Sequence, residues 1–101
     1  MYRGTTPTLN FNFEFNLDEV DITEFYITFS QRNQIVFEKT LEDLEISENK
    51  ATVQLTQQDT LKLMGSAVVY IQARFKIGED QVYATNVITT SANAILKDGE
   101  L

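Results

Sequence analysis

Histidine, cysteine and tryptophan are absent from this chain of 101 residues, and proline occurs once. Without His or Cys there is no zinc finger, no Cys-His or Ser-His nucleophile pair, no haem attachment and no disulfide framework. One Pro and four Gly leave no room for a collagenous or linker-like region. Gly65 and Gly78 stand alone rather than in a phosphate-cradling loop. None of Ser30, Ser47, Ser66 and Ser91 lies in a Gly-x-Ser-x-Gly elbow. Long apolar runs are missing too. The longest cluster, Ala67 to Ile71, is far too short for a membrane span. The opening residues Met1 to Pro7 lack the apolar stretch of a signal peptide. Synthesis in the cytoplasm, with no membrane association, is therefore expected.

What is present describes a small packed domain. Hydrophobic residues make up 43%, and seven Phe and four Tyr exclude a disordered tail. The length suits one domain over residues 1–101. Flexible arms are expected at 1–6 and 97–101. Fifteen acidic residues oppose eight basic ones, a net charge of −7, which disfavours nucleic-acid binding. The charge is concentrated. Residues 14 to 48 hold ten acids and two bases, −8, while the rest of the chain carries +1. This stretch reads either as a solvating surface or as a docking face for a basic partner. With the acids gathered there, a docking surface is expected in the second half of the chain.

The hydrophobic period is two. Leu9, Phe11, Phe13 and Phe15 alternate with Asn10, Asn12 and Glu14, which predicts a half-buried strand. Asn is a poor strand former, so burial of the Phe face must hold that segment. Phe25, Ile27 and Phe29 make a second strand and Ile35 to Lys39 a third, a hairpin turning at Gln31 to Gln34. Thr40 to Glu45 crosses to a short fourth strand at Leu44 and Ile46. A turn at Glu48-Asn49-Lys50, with Asn49 suited to positive φ, leads to a fifth at Ala51, Val53 and Leu55. Thr56 followed three residues later by Asp59 is a helix N-cap signal. One or two helical turns are predicted over 57–63, stopped by Gly65. Residues 67–77 form the longest strand, with Val69, Ile71, Ala73, Phe75 and Ile77 on one face. A turn at Gly78 to Gln81 precedes a seventh strand, Val82 to Thr90, whose broken alternation predicts a β-bulge at Thr85-Asn86. Residues 91–96 are helix-tolerant. Seven short strands with one helical turn predict an all-β fold, an Ig-like antiparallel β-sandwich. A small barrel is the rival.

Chemistry is sparse. Asp18, Glu19, Asp21 and Glu24 could gather carboxylates at one loop, but the spacing of a calcium loop is absent. A glycosidase pair of acids would lack a Trp platform. No cofactor, metal or small-molecule substrate is expected, nor an enzymatic activity. The surface signal is aromatic. Val68 and Tyr70 fall on the outward face of the long strand, and Tyr26 and Tyr83 lie on neighbouring strands. Tyr is enriched at protein interfaces, although such rings also simply flank a core. The candidate partner-binding residues are Tyr26, Tyr70, Arg74 and Tyr83 on a sheet face, with Arg3 and the N-terminal arm as a second candidate. An unpaired sheet edge is a further route to a partner.

Four segments carry a resemblance: Tyr2-Arg3-Gly4-Thr5-Thr6-Pro7-Thr8, Leu55-Thr56-Gln57-Gln58-Asp59-Thr60, Val82-Tyr83-Ala84-Thr85-Asn86-Val87-Ile88 and Ile95-Leu96-Lys97-Asp98-Gly99. Over nearly the whole chain they resemble small uncharacterised proteins encoded in prophages of Gram-positive bacteria. The layout also looks like the Ig-like N-terminal domain of phage baseplate upper proteins. The resemblance implies a non-enzymatic virion or virion-assembly component, working through other virion proteins or self-association, with the virion as its expected location. It brings no catalytic residues with it. The alternative is a carbohydrate- or cell-surface-binding accessory module of a host-attachment device.

Overall fold

A computed structural model describes all 101 residues. Eight strands form two antiparallel sheets packed face to face. The smaller sheet has the order β1 (Thr8–Asn12), β5 (Lys50–Gln54), β4 (Glu45–Ser47). The larger has the order β3 (Gln34–Thr40), β2 (Ile22–Gln31), β6 (Ala67–Ile77), β7 (Gln81–Ala84), with β8 (Ile88–Ala92) also paired to β6. The chain folds as a β-sandwich, and two separate sheets replace the rival barrel. Strands β1, β5 and β4 take the places of B, E and D in an immunoglobulin-type domain, and β3, β2, β6 and β7 those of C′, C, F and G. The place of strand A beside β1 is empty. Instead Tyr2 forms a parallel bridge with Asn93, just past β8.

The core follows from the period of two. Phe25, Ile27 and Phe29 from β2 and Val69, Ile71, Ala73 and Phe75 from β6 line the inner face of the larger sheet. Phe11, Ala51, Val53 and Leu55 face them from the smaller sheet side. Phe13 and Phe15 lie beyond the end of β1 yet pack on this core. Phe13 stays tied to the turn after β4: its N–H donates to the Asn49 carbonyl at 2.8 Å, and Asn49 Nδ2 donates to the Phe13 carbonyl at 3.0 Å.

The hairpin β2–β3 turns through Arg32 and Asn33, both at positive φ (52° and 63°), as a two-residue primed turn requires. Between β5 and β6 runs the short helix α1 (Gln57–Leu61). Its first turn is closed by a capping box: Thr56 Oγ1 accepts from the Asp59 N–H at 3.1 Å, and Asp59 Oδ2 accepts from the Thr56 N–H at 2.9 Å.

Four local expectations are corrected. Glu48 takes the positive φ of the β4–β5 turn (56°), and Asn49 does not, because its side chain is committed to Phe13. Ser66 takes the left-handed conformation after α1 (φ 63°). Gly65 serves close approach instead: a Cβ there would stand 3.1 Å from the Ala94 Cβ. The predicted seventh strand is two strands, since Thr85 turns inward to bond β6. Its N–H donates to the Ala73 carbonyl at 2.9 Å, and its hydroxyl accepts from the Ala73 N–H at 3.1 Å. Residues 91 and 92 belong to β8, and no helix forms over 91–96.

Candidate functional site

Directly opposed residues on antiparallel strands point to the same side of a sheet. This decides which side chains share the outer face of the larger sheet. From β2 it carries Glu24, Tyr26, Thr28 and Ser30, and these lie beside Lys76, Arg74, Gln72 and Tyr70 of β6, in that order. Tyr26 and Arg74 are direct partners. The β3 edge adds Glu38 opposite Thr28 and Ile35 opposite Ser30. Val82 sits opposite Lys76, and Ser91 opposite Val68.

The face is exposed and partly apolar. Tyr26 is 41% accessible, Tyr70 43%, Val68 47% and Val82 54%, so no other element of the chain covers them. The polar groups hold one another in place. Tyr26 Oη donates to Glu24 Oε1 at 3.3 Å, and Thr28 Oγ1 donates to Glu38 Oε2 at 2.8 Å. Lys76 Nζ lies 3.9 Å from Glu24 Oε2. Solvent-exposed pairs of this kind contribute little to stability, and their use here is to fix a pattern of charge. One end of the face is hollowed into a shallow depression of about 450 Å³ bordered by Glu24, Tyr26, Glu38, Arg74 and Lys76.

Tyr26, Tyr70 and Arg74 are thus brought together, and Tyr83 is not. Tyr83 is the cross-strand partner of Phe75 and points to the inner side, where its ring stacks on Phe75 with centroids 5.4 Å apart. The sequence reading set Tyr83 on the same face as Tyr26 and Tyr70, and the β6–β7 register, which pairs it with the inward Phe75, corrects this.

Arg3 also lies apart from that face. Its Nε donates to the Leu63 carbonyl at 2.8 Å and its Nη2 to the Leu61 carbonyl at 3.0 Å, with Asp98 bound at Nη1. The carbonyls at the C-terminal end of α1 have no partners within the helix, and the planar guanidinium satisfies them. The segment expected as an arm is laid along the body. The Arg3 N–H donates to the Asn93 carbonyl, and Thr60 Oγ1 donates to the Thr5 carbonyl at 2.8 Å. Arg3→Lys is accordingly expected to cost about 1–2 kcal/mol, because an ammonium cannot reproduce the fork. Urea denaturation followed by far-UV circular dichroism measures it, and an unchanged midpoint would contradict the assigned role.

The acids of 14–48 do not share one face. Glu24 and Glu38 belong to the larger sheet, whereas Glu45 lies on β4 of the smaller one. Asp18 Oδ2 accepts from the Glu48 N–H at 2.6 Å and pins the β4–β5 turn. No three His, Cys, Asp or Glu side chains are grouped to hold a metal ion. No helix is long and apolar enough to cross a membrane.

Two buried polar clusters escape a reading from sequence. Gln31 Nε2 donates to the Met64 carbonyl at 2.9 Å, and Gln31 Oε1 accepts from the Met64 N–H at 2.7 Å, which clamps the end of β2 to the loop after α1. Its only sequence signal is its parity with Phe29. Lys39 shares parity with Phe37 and points inward, where Nζ lies 2.6 Å from Asp59 Oδ2. Burial alone would raise the pKa of Asp59. The hydrogen bond from Lys39, those from the backbone and side chain of Thr56, and the Lys39 charge outweigh it, and the pKa is lowered.

Compared with protein-family models, curated proteins and solved structures, the chain matches none.

Proposed function

We propose that this chain is a non-enzymatic structural or assembly module of a phage or prophage virion, and that it works by docking another protein on the outer face of its larger sheet. The observation that carries the docking reading is the uncovered set on one sheet face, with Tyr26 beside Arg74, Val82 beside Lys76, and Tyr70 and Val68 further along β6. Tyr and Arg are the residue types that anchor protein interfaces. The virion assignment draws on the four segments that resemble prophage-encoded proteins. Tyr26→Ala combined with Tyr70→Ala is expected to weaken binding to a co-encoded virion protein about a hundredfold, the loss of two anchors, while leaving the melting temperature nearly unchanged. Isothermal titration against each virion protein expressed from the same gene cluster tests this. Unaltered binding by the double variant would refute the face as the site.

A second reading has one observation in its favour. The depression beside Tyr26 gathers an exposed ring and the carboxylates of Glu24 and Glu38, a set that a sugar hydroxyl array could engage. A glycan array with no hits dismisses it.

A further inference from the structure

The outer face of the larger sheet is complementary to itself, and we propose that its occupant is a second copy of this chain, docked about a two-fold axis running along the seam between β2 and β6. The inference rests on the docking reading above and names the partner. Along the seam, β2 and β6 are paired row by row with unlike groups. Glu24 stands beside Lys76, Tyr26 beside Arg74, Thr28 beside Gln72, and Ser30 beside Tyr70.

A two-fold axis lying in the interface and parallel to the seam places β2 of one copy over β6 of the other, level along the strands. Every row then meets itself with its two members exchanged. Glu24 faces Lys76 of the second copy, and Lys76 faces its Glu24. The Tyr26 ring faces the Arg74 guanidinium of the second copy, a cation-π contact. The bulky Tyr70 ring falls over the small Ser30. Two sheets packed face to face keep their strands within about 30° of each other, so the central rows stay in register.

Charge argues for this occupant over others. The chain as a whole carries −7, and two copies repel at long range. The face itself balances Glu24 and Glu38 against Arg74 and Lys76, so close approach there is attractive for an equally mixed surface. A uniformly basic or uniformly acidic partner would meet like charge on half of it. The face spans about 20 Å along the strands and about 15 Å across them, roughly 600 Å² over the two copies, below the size of stable specific interfaces, so the dimer is a weak, transient one.

Sedimentation equilibrium over a concentration series reaching about 1 mM is expected to show a monomer–dimer equilibrium. Glu24→Lys alone and Lys76→Glu alone place like charges across the axis, and each weakens self-association about tenfold or more. Thermal melts of both variants establish that they remain folded. If either reversal unfolds the chain, Glu24→Gln and Lys76→Met carry the same comparison. Mixing the two reversed proteins is expected to restore the dimer as a heterodimer. The substituted position of one chain then faces the substituted position of the other with opposite charge, and the native Lys76 of the first faces the native Glu24 of the second. Repair of the intrachain pair cannot produce that result, because neither chain regains it. A wild-type chain that stays monomeric throughout, or a mixture that stays monomeric, overturns the inference. The docking reading fails separately, through unaltered binding of a virion protein by the Tyr26→Ala, Tyr70→Ala variant.

Discussion

Asp59→Ala is expected to lower the stability of the domain by about 3 kcal/mol at neutral pH, the range for breaking a buried ion pair from one side. The carboxylate does two jobs at once. It closes the capping box of α1 through the Thr56 N–H, and it holds the Lys39 ammonium 2.6 Å away, with about 10–14% of either side chain exposed. Removing it strands a cation between the sheet edge and the helix. For a domain of this size the melting temperature falls by roughly 15 °C. Lys39→Met is expected to cost less, because Asp59 keeps its bonds to Thr56 and an apolar chain can fill the space. Equal losses for the two variants would show that the pair alone, with no added contribution from the cap, carries the energy.

The same residue sets a pH dependence. The pKa of Asp59 in the folded chain lies below its ordinary value of 3.8. The unfolded chain therefore takes up this proton first as the pH falls, and folding stability drops with it. The contribution is fully present above the unfolded value, and it is lost as the pH falls from there through the folded value. Other carboxylates titrate in the same window, so the measurable quantity is a difference. The stability gap between the wild type and Asp59→Asn is expected to be constant near neutrality and to shrink below about pH 4. A gap that widens on acidification would reverse the sign argued here.

Phe75→Ala is expected to cost about 3–5 kcal/mol, a large share of what a domain of this size holds in total. Phe75 is 4% exposed and lies at the centre of the aromatic cluster. Its ring centroid stands 5.2 Å from that of Phe25, 5.3 Å from Phe13, 5.4 Å from Tyr83 and 6.1 Å from Phe15. Truncation leaves a cavity touching four rings contributed by three separate stretches of chain, which cannot all collapse into it. Chemical denaturation measures the loss. Tyr83→Ala, at the exposed rim of the same stack, is expected to cost no more than about 1.5 kcal/mol, the scale of one aromatic pair. If Tyr83→Ala matches Phe75→Ala, the rim and the centre of the cluster have been misassigned.

The alternation of residues 67–77 was enough to separate the buried Val69, Ile71, Ala73 and Phe75 from the exposed Val68, Tyr70 and Arg74. A strand covered on one face must repeat every two residues. The Thr56–Asp59 cap was legible for a similar reason: its partners are three residues apart, and the bond is made within one turn. Where the pattern breaks, legibility ends. Thr85, Asn86 and Val87 interrupt the alternation, and sequence alone does not say whether the chain bulges within one strand or leaves the ladder and rejoins it. Tyr83 was misplaced on the outer face because its side is set by the register of the β6–β7 hairpin, which pairs it with Phe75.

The candidate face shows the same division. Tyr26, Tyr70 and Arg74 were identifiable as outward residues strand by strand. That Tyr26 and Arg74 are neighbours depends on the register of β2 against β6, two strands more than about thirty residues apart along the chain, and on the sequence order giving way to the sheet order. Tyr26 was named together with Tyr70 and Arg74 of the second half of the chain, but Glu24 and Glu38 were not; they reach the same face because β2 pairs with β6 and β3 pairs with β2.

The sequence by itself determined that no His, Cys or Trp chemistry operates here, that the core is built from period-two strands, and which side of most strands is buried. Those properties depend on composition and on neighbours within a few residues. Only the tertiary structure decided that Lys39 and Asp59 form a pair, that Arg3 closes the end of α1, and that four rows of unlike groups line the seam of one exposed face. Each of those joins residues distant along the chain, and their meeting is set by how the two sheets pack and by the register between strands.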